Sequence, residues 1–187
     1  MKLVSIFVEN FEGLHSVHYH DERLAEYYRL FELWNDVEYL LEYCQRNQEY
    51  IYNDFWKVNR LEEFIDMIQD EAEKLEDFFL SFKENGLYVE SGVLQQIFIP
   101  LNNHTTSVPS LQESKAKLEV SKPKLRFYAI RINKNTFIHT GGCIKLTHRM
   151  EEHPDSQIEL NKIISVKEWL KIEGIKNEDD LSYYYEQ

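Results

Sequence analysis

The sequence predicts an α+β domain: a small antiparallel sheet with an N-terminal strand, a large helical segment and a C-terminal helix. Three observations predict it. The chain opens on KLVSIFV, rich in β-branched and aromatic residues. Residues 20–100 then repeat apolar side chains at helical spacing. LRFYAIRIN and TFIHTGGCIKL follow as two β-rich runs joined by the turn NKN. Helices grouped apart from adjacent strands define the class.

The first strand covers residues 2–8. EGLHSVHYH after it is either the rest of a hairpin or a loop. DERLAEYYRLFELW has an acidic first turn and carries Leu24, Tyr27, Tyr28 and Phe31 on one face. Asn35-Asp36 offers a new N-cap before VEYLLEYCQ, and QEYIYNDFWKV predicts a third short helix. The longest helix starts at Asn59, which forms a capping-box pattern with Glu62, and stops at Gly86. Its stripe runs from Leu61 through Phe64, Ile68, Ala72, Leu75 and Phe79 to Phe82. Pairs such as Glu62–Asp66 and Glu73–Asp77 belong to its solvated side. VLQQIFIPLN is a short buried segment, and residues 102–123 form a long polar loop. Residues 124–174 supply the basic strand pair and a closing helix, which starts around Pro154 and Ser156 and stops at Gly174. The tail KNEDDLSYYYEQ is acidic and ends in three tyrosines before Glu186.

The 187 residues suit a single domain with a real core. No apolar run is long enough to span a bilayer, and the N-terminus lacks the pattern of an export signal. Cys44 and Cys143 form no CxxC unit, so two reduced thiols in a cytoplasmic protein are expected, with no membrane partner. The net charge of −12 hides a division. Residues 1–90 hold 8 Lys/Arg against 21 Asp/Glu, whereas residues 115–149 hold 9 against 1. A concentrated basic patch attracts phosphate even on an acidic chain.

FIHTGGCIKLTHRMEEHP holds most of the chemistry-bearing residues. His139, Cys143, His148 and His153 are metal-ligand types, but spacings of four, five and five do not make two close ligand pairs. His139 and Cys143 share a strand face only if the glycines add no bulge. HSVHYH is a second histidine cluster and reads as an ordinary polar strand end or loop, so no metal and no cofactor is expected. TGGCIKLT lacks the spacing of a phosphate-binding loop. Its glycines instead mark a bulge or a close backbone approach. Nothing in the pattern activates Cys143, which reads as a buried thiol.

The basic strand pair remains. Arg126, Tyr128 and Ile130 point one way, and Phe127, Ala129 and Arg131 the other. Cys143, Lys145 and Thr147 share a face opposite Ile144 and Leu146. If helices cover Ile144 and Leu146, Lys145 lies on an open face near Arg126 and Tyr128, ringed by Lys122, Lys124, His148 and Arg149. Cations beside an aromatic ring make a platform for phosphate and base.

LRFYAIRI followed by FIHTGGCIKLTHRMEEHPDSQIELNKI resembles the C-terminal half of the RelE/HigB group of toxins of toxin–antitoxin systems. The matching pieces are Arg126 and Arg131, then Lys145 and Thr147, then Pro154, Glu159 and Leu160. One Lys stands where that group commonly has two, and the chain is acidic where the group is basic. The resemblance implies a metal-independent, RNA-cleaving toxin acting on messenger RNA, often at the ribosome, with an antitoxin protein as partner. It implies catalytic roles for Arg126, Arg131, Lys145 and His148, and RNA contacts from Lys122, Lys124, Tyr128 and Arg149. The other reading is a non-catalytic interaction protein that uses the acidic helical surface. A metal-dependent hydrolase built on HSVHYH is a third.

Overall fold

The computed structural model describes residues 1–9, 12–85, 94–101 and 111–187. The fold is α+β, as the sequence predicts, but the sheet is larger than expected. Six strands run in the order β1-β2-β6-β5-β4-β3. They are β1 (Lys2–Glu9), β2 (Glu12–His18), β3 (Ile99–Pro100), β4 (Gln112–Ala116), β5 (Leu125–Arg131) and β6 (Thr136–Ile144). The sheet is mixed rather than antiparallel, because β2 pairs parallel with β6 while the other neighbours run antiparallel. EGLHSVH is thus a strand, the second arm of an N-terminal hairpin. Part of the expected loop 102–123 is also a strand: QESKA pairs with β5, while residues 102–110 lie outside the described residues.

Helices cover both faces. On one lie α1 (Glu26–Asn35), α2 (Val37–Arg46), the short α3 (Gln48–Ile51), α4 (Leu61–Asn85) and the short α5 (Leu94–Ile97). Their apolar stripes meet Phe127, Ala129, Phe137, Ile144 and Leu146 of the sheet. The other face packs under α6 (Pro154–Ile172) and α7 (Glu178–Glu186), with Tyr128, Ile130, Ile138 and Cys143 against Ile163, Val166 and Leu170. The closing helix therefore covers the face on which Lys145 and Tyr128 were expected to lie open. The acidic tail, which has no apolar period of its own, forms α7 and buries Leu181.

Local signals hold at several ends. Asp36 caps α2 by accepting from the Glu38 and Tyr39 amides. Asp36→Ala should cost about 1 kcal/mol in a denaturant titration. At the start of α4 it is Glu63, not Glu62, that accepts the Asn59 amide. The expected stop at Gly86 lies outside the described residues. After α6, Gly174 takes a left-handed φ of 78°, the conformation that favours glycine past a helix end.

The Gly-Gly pair does two jobs. Thr140 is an extra residue between the pairs Ala129–His139 and Tyr128–Gly141, so β6 carries a bulge. The bulge throws His139 and Cys143 onto opposite faces. His139 stacks on Phe127 in one core, and Cys143 meets Tyr128 and Ser156 in the other. The glycines also admit close neighbours. A Cβ on Gly141 would collide with Glu159 Oε2, and one on Gly142 would lie 2.5 Å from the Arg126 carbonyl oxygen and 3.1 Å from Trp34. Gly142→Ala should therefore cost about 2–3 kcal/mol of stability, read by denaturant unfolding.

Candidate nucleic-acid interface

The end of the β5–β6 ladder carries the basic cluster. β5 begins at Leu125, where two cations and a proline precede the strand, and β6 runs on past Ile144 into Lys145. The Lys145 amide donates to the Lys124 carbonyl at 2.6 Å, which extends the pairing and fixes the two segments side by side. Across from them lies the turn after α3. Asn53 holds that turn by accepting from the Phe55 and Trp56 amides, which sets both rings against the strand ends.

Between these segments is a groove of about 340 Å3 lined by Phe55, Trp56, Lys122, Arg126, Lys145 and His148, with Asn53, Pro123, Leu146 and Thr147. None of these lining residues is acidic. Lys122 Nζ lies over the Phe55 ring at 4.7 Å and donates to the Phe55 carbonyl. Lys124 Nζ lies over Trp56 at 5.6 Å. Phe55 itself is 55% exposed. Lys145 and His148 also line a second, wider groove with Lys115 and Arg149, where Glu113, Glu151 and Glu152 stand as well.

Cations crowd one another in this corner. Burial lowers the Lys145 pKa, and the charges of Arg126 and Lys115 lower it further. Burial, with Arg126 and Lys117, does the same to Lys115. Burial also lowers Arg126 and Lys124, and Glu71 opposes both shifts. Glu71 spends both carboxylate oxygens on the Lys124 and Leu125 amides, at 2.8 and 2.9 Å. It anchors the backbone of the cluster from behind. Like charges held close together raise the folded state's energy. They also make a site for an anion.

The sequence-predicted residues divide. Arg126, Lys145, His148 and Lys122 converge on the groove. Arg149 lines the second groove beside Lys145. Lys124 is buried and touches Trp56 rather than solvent. Tyr128 does not lie on an open face: it is 1% exposed beneath α6, with its hydroxyl 3.7 Å from Cys143 Sγ. A ring so covered cannot stack on a base. Arg131 sits at the opposite end of β5, paired with Phe137, and donates to the Asn133 carbonyl. Sequence reasoning missed Phe55 and Trp56. The signal was present in the adjacent aromatics of NDFWK, but only the fold brings that turn to the strand pair.

The histidine clusters do not assemble. Among the described residues no group of three or more His, Cys, Asp or Glu side chains is placed to hold a metal ion. His18 bonds the Glu22 carbonyl, and His20 bonds the N-terminal amine. His139 is fully buried, and burial pushes its pKa down to about 3, so it stays neutral and donates Nε2–H to the Gly141 carbonyl. His153 caps α6 and bonds Asn47 Oδ1. Burial raises Cys143 to about 11 and Cys44 to about 12, which keeps both as thiols.

A second polar cluster lies where β2 leaves β6. Past Ser16–His139 no strand among the described residues pairs with that edge of β6, and α1 and α6 close over it. Glu26 is wholly buried and takes both Arg29 (Nε and Nη2, 2.7 Å each) and Lys162 (2.9 Å). Burial alone would raise its pKa, but the two cations outweigh that and hold it low. Lys162 also reaches Glu159 at 2.8 Å. Burial pushes Glu159 up to about 7, against the pull of Lys162, and its Oε2 has no hydrogen-bond partner among the described residues. Tyr19 caps the exposed edge by donating to the Thr140 carbonyl at 2.7 Å.

No helix among the described residues is long and apolar enough to cross a membrane. The chain matches no protein-family model, no curated protein and no solved structure.

Proposed function

We propose that the groove between Phe55–Trp56 and the β5–β6 end binds single-stranded RNA, and that the protein is a metal-independent RNA-cleaving protein of the toxin type. One observation carries this: in a chain of net charge −12, a groove lined by Arg126, Lys145, Lys122 and His148 contains no carboxylate and has an exposed aromatic ring at its rim. Arg126 and Lys145 would hold the scissile phosphate, and Phe55 would stack on a neighbouring base. The chemistry is attack of a ribose 2′-hydroxyl on the adjacent phosphate. Lys145 and Arg126 stabilise the charge that develops on phosphorus oxygens. His148, exposed at the rim, would move the proton to or from the reacting oxygens. The resemblance to RelE/HigB toxins in residues 125–160 agrees with this reading, which carries with it the ribosome, an antitoxin partner and a cytoplasmic setting. Purified protein incubated with single-stranded RNA in excess chelator should yield fragments ending in 2′,3′-cyclic phosphate. His148→Ala should slow their formation at least 100-fold with little change in binding. RNA left intact under all conditions would reject the catalytic part.

One observation favours the second reading. Glu62, Asp66, Asp70, Glu73 and Asp77 form a stripe of exposed carboxylates along α4. Like charges four residues apart do not stabilise a helix, so a basic protein partner gives them a purpose. Asp66→Lys with Asp70→Lys should release a co-purifying partner while leaving RNA cleavage intact. Retention of the partner would reject this role.

A further inference from the structure

The groove at Phe55 and Trp56 does not stop at the strand ends. Lys145 and His148 line both it and the second groove, so the two meet at these side chains. The second groove measures about 650 Å3 and extends to Lys115 on β4. Lys115 and Lys145 are half-buried. Neither makes an ion pair among the described residues.

The sheet sets three cations in an oblique row. Lys115 stands opposite Tyr128 in the β4–β5 ladder, and Arg126 stands opposite Cys143 in the β5–β6 ladder. Both ladders are antiparallel. Opposed residues share a face, and so do residues two apart on one strand. Lys115 and Lys145 are thus each a diagonal neighbour of Arg126, on the face that α6 covers further along. Diagonal neighbours lie about 7–8 Å apart, close to the spacing of successive phosphates in an extended single strand. Burial lowers the pKa of both lysines, and the Arg126 charge lowers each further, as it does only where cations converge.

Carboxylates stand in the second groove too. Glu113 is taken by Lys167 at 2.8 Å, and Glu152 accepts the Arg149 amide at 2.9 Å. Glu151 is exposed. Acids at 151–152 repel phosphate, so a bound strand follows the cations of the sheet instead. We propose that Lys115 holds a second phosphate of the RNA, so that the strand crosses the end of the sheet from the Phe55 groove to β4. This rests on the groove reading and adds to it a path for the strand. It also sets a minimum ligand, because a strand must carry two phosphodiester links to reach both Arg126–Lys145 and Lys115.

The test is titration of the full chain with 2′-O-methyl oligouridylates, which cannot be cleaved. A dimer carries one phosphodiester link, and a dodecamer fills both grooves. Lys115→Met should weaken the dodecamer at least fivefold and leave the dimer unchanged. The slope of log affinity against log salt for the dodecamer should fall by about 0.7, the value of one phosphate contact on a single strand. Lys115→Arg should keep the wild-type slope. The melting temperature of Lys115→Met should be no lower than that of the wild type, which separates lost contact from lost folding. Arg126→Ala with Lys145→Ala should weaken dimer and dodecamer alike. If that double variant binds both as the wild type does, the groove reading fails and this inference with it. If the double variant loses binding while Lys115→Met keeps the wild-type slope, only this inference is overturned. Equal loss of dimer and dodecamer in Lys115→Met overturns it as well.

Discussion

Arg126→Ala combined with Lys145→Ala should weaken single-stranded RNA binding about 100-fold at low salt. Each cation lost from a phosphate removes a charge-assisted hydrogen bond of about 1.5–3 kcal/mol. The slope of log affinity against log salt should also fall by about 1.4, at about 0.7 per phosphate contact on a single strand. A merely structural role would not change that slope. The single variant Lys145→Met separates the two effects further. Lys145 makes no ion pair among the described residues and is repelled by Arg126 and Lys115. Its neutral replacement should leave the melting temperature unchanged or higher while RNA affinity falls. Arg126 is less clean, because its Nη1 donates to the Pro123 and Leu125 carbonyls and holds the strand start. For the same reason, added RNA should raise the melting temperature of the wild type more than that of Lys145→Met.

The second large effect concerns Glu159. Its carboxyl ordinarily titrates at 4.5 and is pushed to about 7 in the fold. The folded state therefore binds that proton more tightly than the unfolded state does. Between these two values the unfolded chain holds fewer protons, so stability falls as pH rises. This contribution is fully present below 4.5 and is lost once pH passes about 7, with a size of about 3 kcal/mol. Glu26 works in the opposite direction, because its pKa is held low: its stabilisation is present above the ordinary carboxylate range and is lost in acid. Glu159→Gln should flatten the decline between pH 5 and pH 8 and stabilise the protein at pH 8. Denaturant midpoints at the two pH values measure this. Loss of stability in Glu159→Gln at both would contradict the assignment.

What the sequence revealed follows from the range of the forces involved. Strand parity is local, and it placed Phe127, Ala129, Ile144 and Leu146 on one face and Tyr128, Ile130 and Cys143 on the other, as they are. The α4 stripe was equally legible, because a 3.6-residue period needs no partner to be seen. The parallel pairing of β2 with β6 was not, since it joins residues 13–16 to residues 136–139 with no turn to announce it. QESKA escaped notice because its outward lysine and glutamate hide a strand buried at every second position. The covering of Tyr128 was missed because α6 is polar enough to read as a helix on any open surface. Part of the groove was legible as charge, in Arg126, Lys145, Lys122 and His148. Its aromatic wall was not, as Phe55 and Trp56 reach it only through packing of α3 and α4.

The most direct test is crosslinking of a single-stranded RNA carrying 4-thiouridine to the full-length protein, with the attached peptides identified by mass spectrometry. The groove reading predicts attachment at Phe55 or Trp56 and within residues 145–149, lost in Lys145→Met. Attachment confined to the outer faces of α4 or α6, or unchanged by that substitution, would contradict it.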